Sequence, residues 1–157
     1  MDLKGRGGKM IRVISAYRVS QSIKNKVGPL TSCQQQFNSL VLSNADTLEP
    51  RHAFLEDMNT FITKWKNSGD QHEVILMLDA NEDIVEKSHF SEFVLEAGLL
   101  DAVSLVEPAL KDDPTYLWGS RRLDYVLITP GLQSALVKGG HHPFHQHLVT
   151  DHKGVFV

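Results

Sequence analysis

From Glu73 the chain reads EVILML and then turns abruptly polar, in Asp79-Ala80-Asn81-Glu82-Asp83. A continuous apolar run of this kind is expected of a strand buried on both faces, and such strands belong to sheets covered by helices on each side. The run therefore predicts an α/β protein. It also delivers three carboxylates and an amide to the mouth of a buried strand, where sites are commonly built.

The flanking sequence fits this frame. Met10 to Tyr17 (MIRVISAY) alternates and is rich in β-branched residues, so a strand is expected there, directly after a basic, Gly-rich leader over 1–9. Gly28-Pro29 breaks structure, and Thr31 or Ser32 can cap a short helix through Leu42 with Phe37, Leu40 and Val41 on its apolar face. After Pro50, the spacing of Phe54, Leu55, Met58, Phe61, Ile62 and Trp65 predicts a helix laid on a sheet, closed by Gly69. Ser88 can cap a further helix to about Ala97, with Phe90, Phe93 and Val94 inward and Gly98 as its stop. A loop carrying Pro108 and Pro114 should follow. Strands are then expected at Thr115 to Leu117 and Arg122 to Ile128, with further strand pieces at Leu136-Val137 and Val155 to Val157.

At 157 residues the chain suits one domain, and a hydrophobic fraction of 41% with 22% charged residues is that of a globular protein with a packed core. The formal net charge of -3 announces no general basic field, so any contact with nucleic acid must be local. Lys4, Arg6 and Lys9, then Lys24 and Lys26, then Arg121 and Arg122 form small basic clusters that read either as solvated surface or as phosphate contacts. A lone cysteine, Cys33, has no partner for an internal disulfide, and neither a signal-peptide pattern nor a long apolar run is present, so an intracellular location is expected, nuclear or cytoplasmic.

Four polar clusters carry chemistry. A strand's period of two puts Asp79 and Asn81 on one side, able to orient water and hold a phosphate; an Asp/Asn-rich turn ending a strand is the plainer alternative. Asp124 lies in the otherwise apolar stretch RLDYVLI, where an ionised carboxylate needs a partner: a structural ion pair with Arg121 or Arg122, or a histidine whose tautomer it fixes. Asp151-His152 joins a hard oxygen ligand to an imidazole, or is an ordinary surface turn. His141, His142, His145 and His147 invite a zinc reading, but the stretch has no Cys and Pro143 interrupts any helix that could present paired ligands, so a polar loop is the better description.

Taken together, a buried run ending Asp-x-Asn, then Arg-Leu-Asp-Tyr, then Thr-Asp-His, resembles the endonuclease/exonuclease/phosphatase superfamily in order and separation. Ile11 to Tyr17 looks like the family strand that ends in tyrosine, Pro114-Thr115-Tyr116 with Trp118 like the segment before the Arg-x-Asp-Tyr strand, and Asp151 to Val157 like its closing strand. The stretches ILMLDANE, RRLDYVLITPG and HPFHQHLVTDHKGVFV are most similar to endonuclease-like domains of reverse-transcriptase retroelements. The resemblance spans the chain from about residue 10 onward. It implies a four-layer α/β sandwich lacking its N-terminal strands, and hydrolysis of a phosphodiester, DNA foremost, with Mg²⁺ or Mn²⁺. It further implies that Asp79 orients or deprotonates the attacking water, that Asn81 bonds the scissile phosphate and that His152 stabilises its growing charge. In the same way Asp124 would hold His152, Asp151 would enter the metal's coordination sphere, Tyr17 would approach the phosphate, and Trp118, Arg121 and Arg122 would contact substrate.

The sequence departs from that pattern in four places. No Glu occurs before Glu49 and 16 residues precede Tyr17, so the family's principal metal-binding glutamate has no counterpart there. Leu78 stands for the usual glycine, Arg18-Val19 for a proline context and Thr150 for the common serine. An incomplete metal site and an uncovered sheet face are therefore expected, to be completed by an upstream segment or a second chain. A non-catalytic remnant of such a domain is the alternative expectation.

Overall fold

A computed structural model describes residues 1–20, 31–45, 49–69, 71–84, 87–144 and 150–157. The expected breaks and bases at Lys24, Lys26 and Gly28-Pro29 lie outside the described residues, as do His145 and His147. Seven strands and four α-helices are present among those described: β1 Asp2–Lys4, β2 Met10–Tyr17, α1 Ser32–Leu42, α2 Pro50–Lys66, β3 His72–Asp79, α3 His89–Glu96, β4 Leu100–Asp101, α4 Ala102–Val106, β5 Asp124–Ile128, β6 Gly140–His141 and β7 Val155–Phe156. The main sheet is mixed, in the order β1-β2-β3-β5-β4, and β6 pairs with β7 in a separate small ribbon. Only β2 and β3 run parallel; the other pairings are antiparallel. The parallel pair requires a long crossover, which α1 and α2 supply.

The helices form where the side chains predict them. Thr31 caps α1 by accepting the N–H of Gln34, Pro50 opens α2 behind the cap Glu49, and Ser88 with Ser91 makes a reciprocal capping box on α3. Gly98 follows α3 with a φ of 63°, a left-handed stop that a side chain would resist. One face of the sheet carries Ile14, Ala16, Val74, Leu76, Leu78, Tyr125 and Leu127, and packs on Leu55 and Ile62 of α2 and Phe90 and Phe93 of α3. The other face carries Ile11, Ile75, Val126 and Ile128, covered in part by Leu100, Ala102, Leu132, Leu136 and Val155.

Several expectations need correction. The 1–9 leader contains a strand, β1, whose Asp2 pairs with Arg12 across the ladder; its short range and polar side chains hid it. β3 is closed on its helix-facing side only: Met77, on the opposite side, is 41% exposed. The loop expected after residue 98 holds β4, α4 and a 3-10 turn at Pro108–Leu110. Thr115 to Leu117 makes a single bridge, Tyr116 to His152, rather than a strand, and Leu136-Val137 follows a 3-10 turn at Pro130–Ala135 without pairing. Helix α1 buries no residue; Phe37 and Val41 of its apolar face stay exposed.

The two sides of β3 predict opposite responses to truncation. Leu76→Ala should cost about 2–5 kcal/mol, as for a buried leucine left as a cavity, whereas Met77→Ala should cost under about 1 kcal/mol. Urea midpoints of the two variants check the assignment, and equal losses would contradict it.

Candidate active site

Strand register brings the first three residues together. Tyr17 lies beside Asp79 in the parallel ladder, and Asp79 lies opposite Asp124 in the antiparallel one. All three therefore point to the face that carries Met77 and Val126, at one rim of the sheet. Two carboxylates directly opposed across strands repel one another. The conflict is met by His152, whose Nδ1 is 2.8 Å from Asp124 Oδ2.

His152 is brought there from the far end of the sequence by backbone pairing. Leu117 N–H donates to the carbonyl of Asp151 and Lys153 N–H to that of Thr115, while the Tyr116 ring packs against the imidazole at 5.1 Å. Thr115 is fully buried, and its hydroxyl oxygen accepts the N–H groups of both Leu123 and Asp124. One short segment thus holds the start of β5 and the 151–153 loop together. In the sequence Thr115 stands out only as part of an expected strand and of the Pro114-Thr115-Tyr116 resemblance, with no sign of this bridging role.

Ligand atoms of Asp79, Asp124 and His152 all lie within 4.8 Å of one another. Burial and the neighbouring Asp124 push the Asp79 carboxyl above its ordinary range, against the opposing pull of the Asn81 N–H, His152 and Arg51. For His152, burial works to lower the pKa, but its hydrogen bond to Asp124 and the charges of Asp124, Asp79 and Asp151 outweigh it and leave the imidazole easier to protonate than usual. The arrangement can hold a proton on one side, accept one on the other, and present both to a polar group in the mouth.

Asn81 follows in a left-handed backbone with φ of 48°. Its N–H donates to Asp79 Oδ1 at 3.0 Å and its side-chain amide to the carbonyl of Arg18 at 2.8 Å. Arg18 and Arg51 are 2% and 3% exposed, and both bind the same oxygen of Glu82. This buried Arg-Glu-Arg arrangement was not anticipated. Arg18 directly follows β2 and Glu82 lies three residues past β3, which is a weak signal; for Arg51, at the start of a helix, there is none.

An open cavity of about 670 Å³ is lined by Asn81, Glu82, Arg51, Tyr116, Trp118 and Arg121 among others; it meets the cluster through Asn81 and Tyr116, while Asp79, Asp124 and His152 do not line it. Of the side chains expected at the substrate, Trp118 and Arg121 face this space. Arg122 does not: it is 1% exposed and its guanidinium grips both oxygens of Asp101, so it is a buried structural ion pair rather than a substrate contact. Asp124 consequently pairs with the histidine and not with an arginine. Asp151 is exposed beside His152 and outside the three-residue cluster. In the histidine-rich stretch, His141 is bonded to Asp113, which also takes Lys153, and His142 packs on Phe156. No zinc-binding group involving either residue is present among the described residues.

Two predictions follow from these charges. With divalent ions removed, His152 should titrate above the ordinary histidine value of about 6.5, and Asp124→Asn should bring it down. Because its folded-state pKa is raised, its contribution to stability is complete below about 6.5 and disappears as pH rises through the folded-state value. Histidine NMR titration checks this; an unchanged midpoint in Asp124→Asn contradicts it. For Asp79 the raised pKa acts in the same direction but as a penalty, since the charged form is disfavoured in the folded state and stability falls as pH rises above the unfolded value. Asp79→Asn should then stabilise the metal-free protein by about 1 kcal/mol at neutral pH, the size of other relieved functional-site conflicts, read as a higher urea midpoint.

No protein-family model matches the chain, and no curated protein matches it significantly.

Proposed function

We propose that the chain carries a metal-dependent phosphodiesterase centre, acting on nucleic acid as an endonuclease of retroelement type. The single observation that carries the reading is the meeting of Asp79, Asp124 and His152 within 4.8 Å from three separate parts of the sequence. It is supported by the Asp124–His152 bond, by Tyr17 alongside Asp79, and by the aromatic and basic side chains lining the adjacent cavity. A four-layer sandwich is the matching architecture, with the β6–β7 ribbon on the side of the sheet opposite α2 and α3 as part of its second sheet.

Asp79 is the water-orienting base; burial beside Asp124 makes it more basic than a free carboxylate, which suits proton abstraction near neutral pH. Asn81 commits one amide proton to Arg18 and offers the other to a non-bridging phosphate oxygen. Asp124 fixes the proton of His152 on Nδ1 when the ring is neutral and favours the doubly protonated ring, leaving Nε2–H to meet charge developing on the phosphoryl group. Tyr17, 54% exposed, reaches the same mouth from the neighbouring strand.

The donor chemistry fits Mg²⁺ or Mn²⁺ held through few protein ligands and the substrate's phosphate. Hard carboxylate oxygens are present, but one of Asp124 is bound to His152 and one of Asp79 to the Asn81 N–H. Asp151 and the remaining carboxylate oxygens would hold the ion, which supplies positive charge against the charge that grows on the phosphoryl oxygens.

Incubation of the full chain with supercoiled plasmid and Mg²⁺ or Mn²⁺ tests the proposal. Asp79→Ala, Asp124→Ala and His152→Ala should each lower nicking by about 100-fold or more, as expected for groups that act on the transition state, and EDTA should abolish it. Nicking that survives all three substitutions overturns the assignment. The second reading, a chain with this fold and no turnover, is favoured by the open sheet face around Met77 and Tyr17; it predicts no metal-dependent nicking at all.

A further inference from the structure

Among the described residues, Glu82 is the one carboxylate that the buried Arg18 and Arg51 share. Arg18 Nη1 and Arg51 Nη2 converge on its Oε2, and each arginine also reaches back to the loop that holds Asn81. The Arg18 carbonyl accepts the Asn81 side-chain amide, Arg51 Nη2 donates to the Asn81 carbonyl at 3.4 Å, and Arg18 Nε donates to the Arg51 carbonyl at 3.0 Å. Arg51 Nη1 ties the same assembly to the Val19 carbonyl. Two guanidinium groups almost wholly removed from water cannot stay side by side without an anion between them. Glu49 and Asp79 act on them only from farther off.

The backbone at Asn81 makes this arrangement consequential. A non-glycine residue in the left-handed region persists where its surroundings over-determine it, at a cost of about 1–3 kcal/mol. Here three polar groups of Asn81 are engaged: its backbone N–H by Asp79, its side-chain NH₂ by Arg18, its backbone carbonyl by Arg51. Two of the three anchors depend on arginines gathered by Glu82. We propose that Glu82 is a positioning residue, which through Arg18 and Arg51 fixes the turn that hands the Asn81 amide and the Asp79 carboxylate to one mouth. This rests on the phosphodiesterase reading for its catalytic meaning, and not for its geometry.

The test separates the two. In the full chain, the Asn81 side-chain NH₂ resonances should report a hydrogen-bonded, slowly exchanging amide. Glu82→Gln, which keeps shape and removes charge, should shift them toward those of a free amide. In plasmid nicking with Mg²⁺ the same variant should lose about 10–100-fold in kcat, the scale of a small misplacement of a reacting group, with KM for DNA changed by less than about threefold. Because Glu82→Gln leaves two buried cations unpaired and can fail to fold, Glu82→Gln with Arg18→Met removes one cation along with the carboxylate and carries the test. A role limited to charge balance predicts that this double variant regains both the Asn81 signature and turnover; positioning predicts that it regains stability alone. An unchanged Asn81 resonance in either folded variant overturns the proposal even if the wild-type chain never nicks DNA, whereas absent wild-type nicking with a shifted resonance overturns only the phosphodiesterase reading.

Discussion

Everything at the rim of the sheet follows from one unfavourable placement, two carboxylates set opposite each other across a strand pair. The β3–β5 register puts Asp79 against Asp124 and is itself held by Leu76, Leu78, Tyr125 and Leu127 packing beneath the helices. That apolar packing is strong enough to enforce a local repulsion. An imidazole brought from some thirty residues farther along then relieves it, so that the cost of the opposed charges falls on whatever keeps the 151–153 loop in place.

Three further devices restrain that rim. Thr115 joins the beginning of β5 to the histidine loop through one hydroxyl and one carbonyl. The buried Tyr125 hydroxyl accepts the Ile84 N–H and donates to the Arg122 carbonyl, linking the loops that leave β3 and enter β5. Burial pushes its phenol far up, which keeps it a donor at any physiological pH. Glu82 with its arginines draws the ends of β2 and β3 to the start of α2. Each restraint is polar, buried and satisfied, the condition under which polar contacts define a single geometry.

What the sequence could disclose follows the range of the forces involved. Periodicity and capping residues are local, and the bounds of β2, α2 and α3, with the caps Thr31 and Ser88, follow from them closely. Short pieces whose pairing depends on a distant partner escape local reading in both directions: Asp2–Lys4 pairs although its sequence reads as a leader, and Leu136-Val137 lies unpaired although its sequence reads as a strand. The charged groups show the same division. An isolated carboxylate in an apolar strand requires that Asp124 have a partner, but the choice between arginine and histidine is not local, because it turns on Asp101 claiming Arg122. Nothing local reveals that Arg18 and Arg51 meet over Glu82, since the contact spans the whole β2–β3 crossover.

The direction of the strands gives the sheet two unlike rims. At one, β2 and β3 end and β5 begins; at the other lie Gln71, Thr129 and the Pro130 turn. Added length at the second rim would move no reactive atom. One residue inserted between Asp124 and Tyr125, with Tyr125 and Leu127 kept in the core, would turn the carboxylate to the other face of the strand, toward the side occupied by Leu76 and Phe90. The molecule thus has one border open to evolutionary elaboration and one where even a single-codon insertion is ruinous.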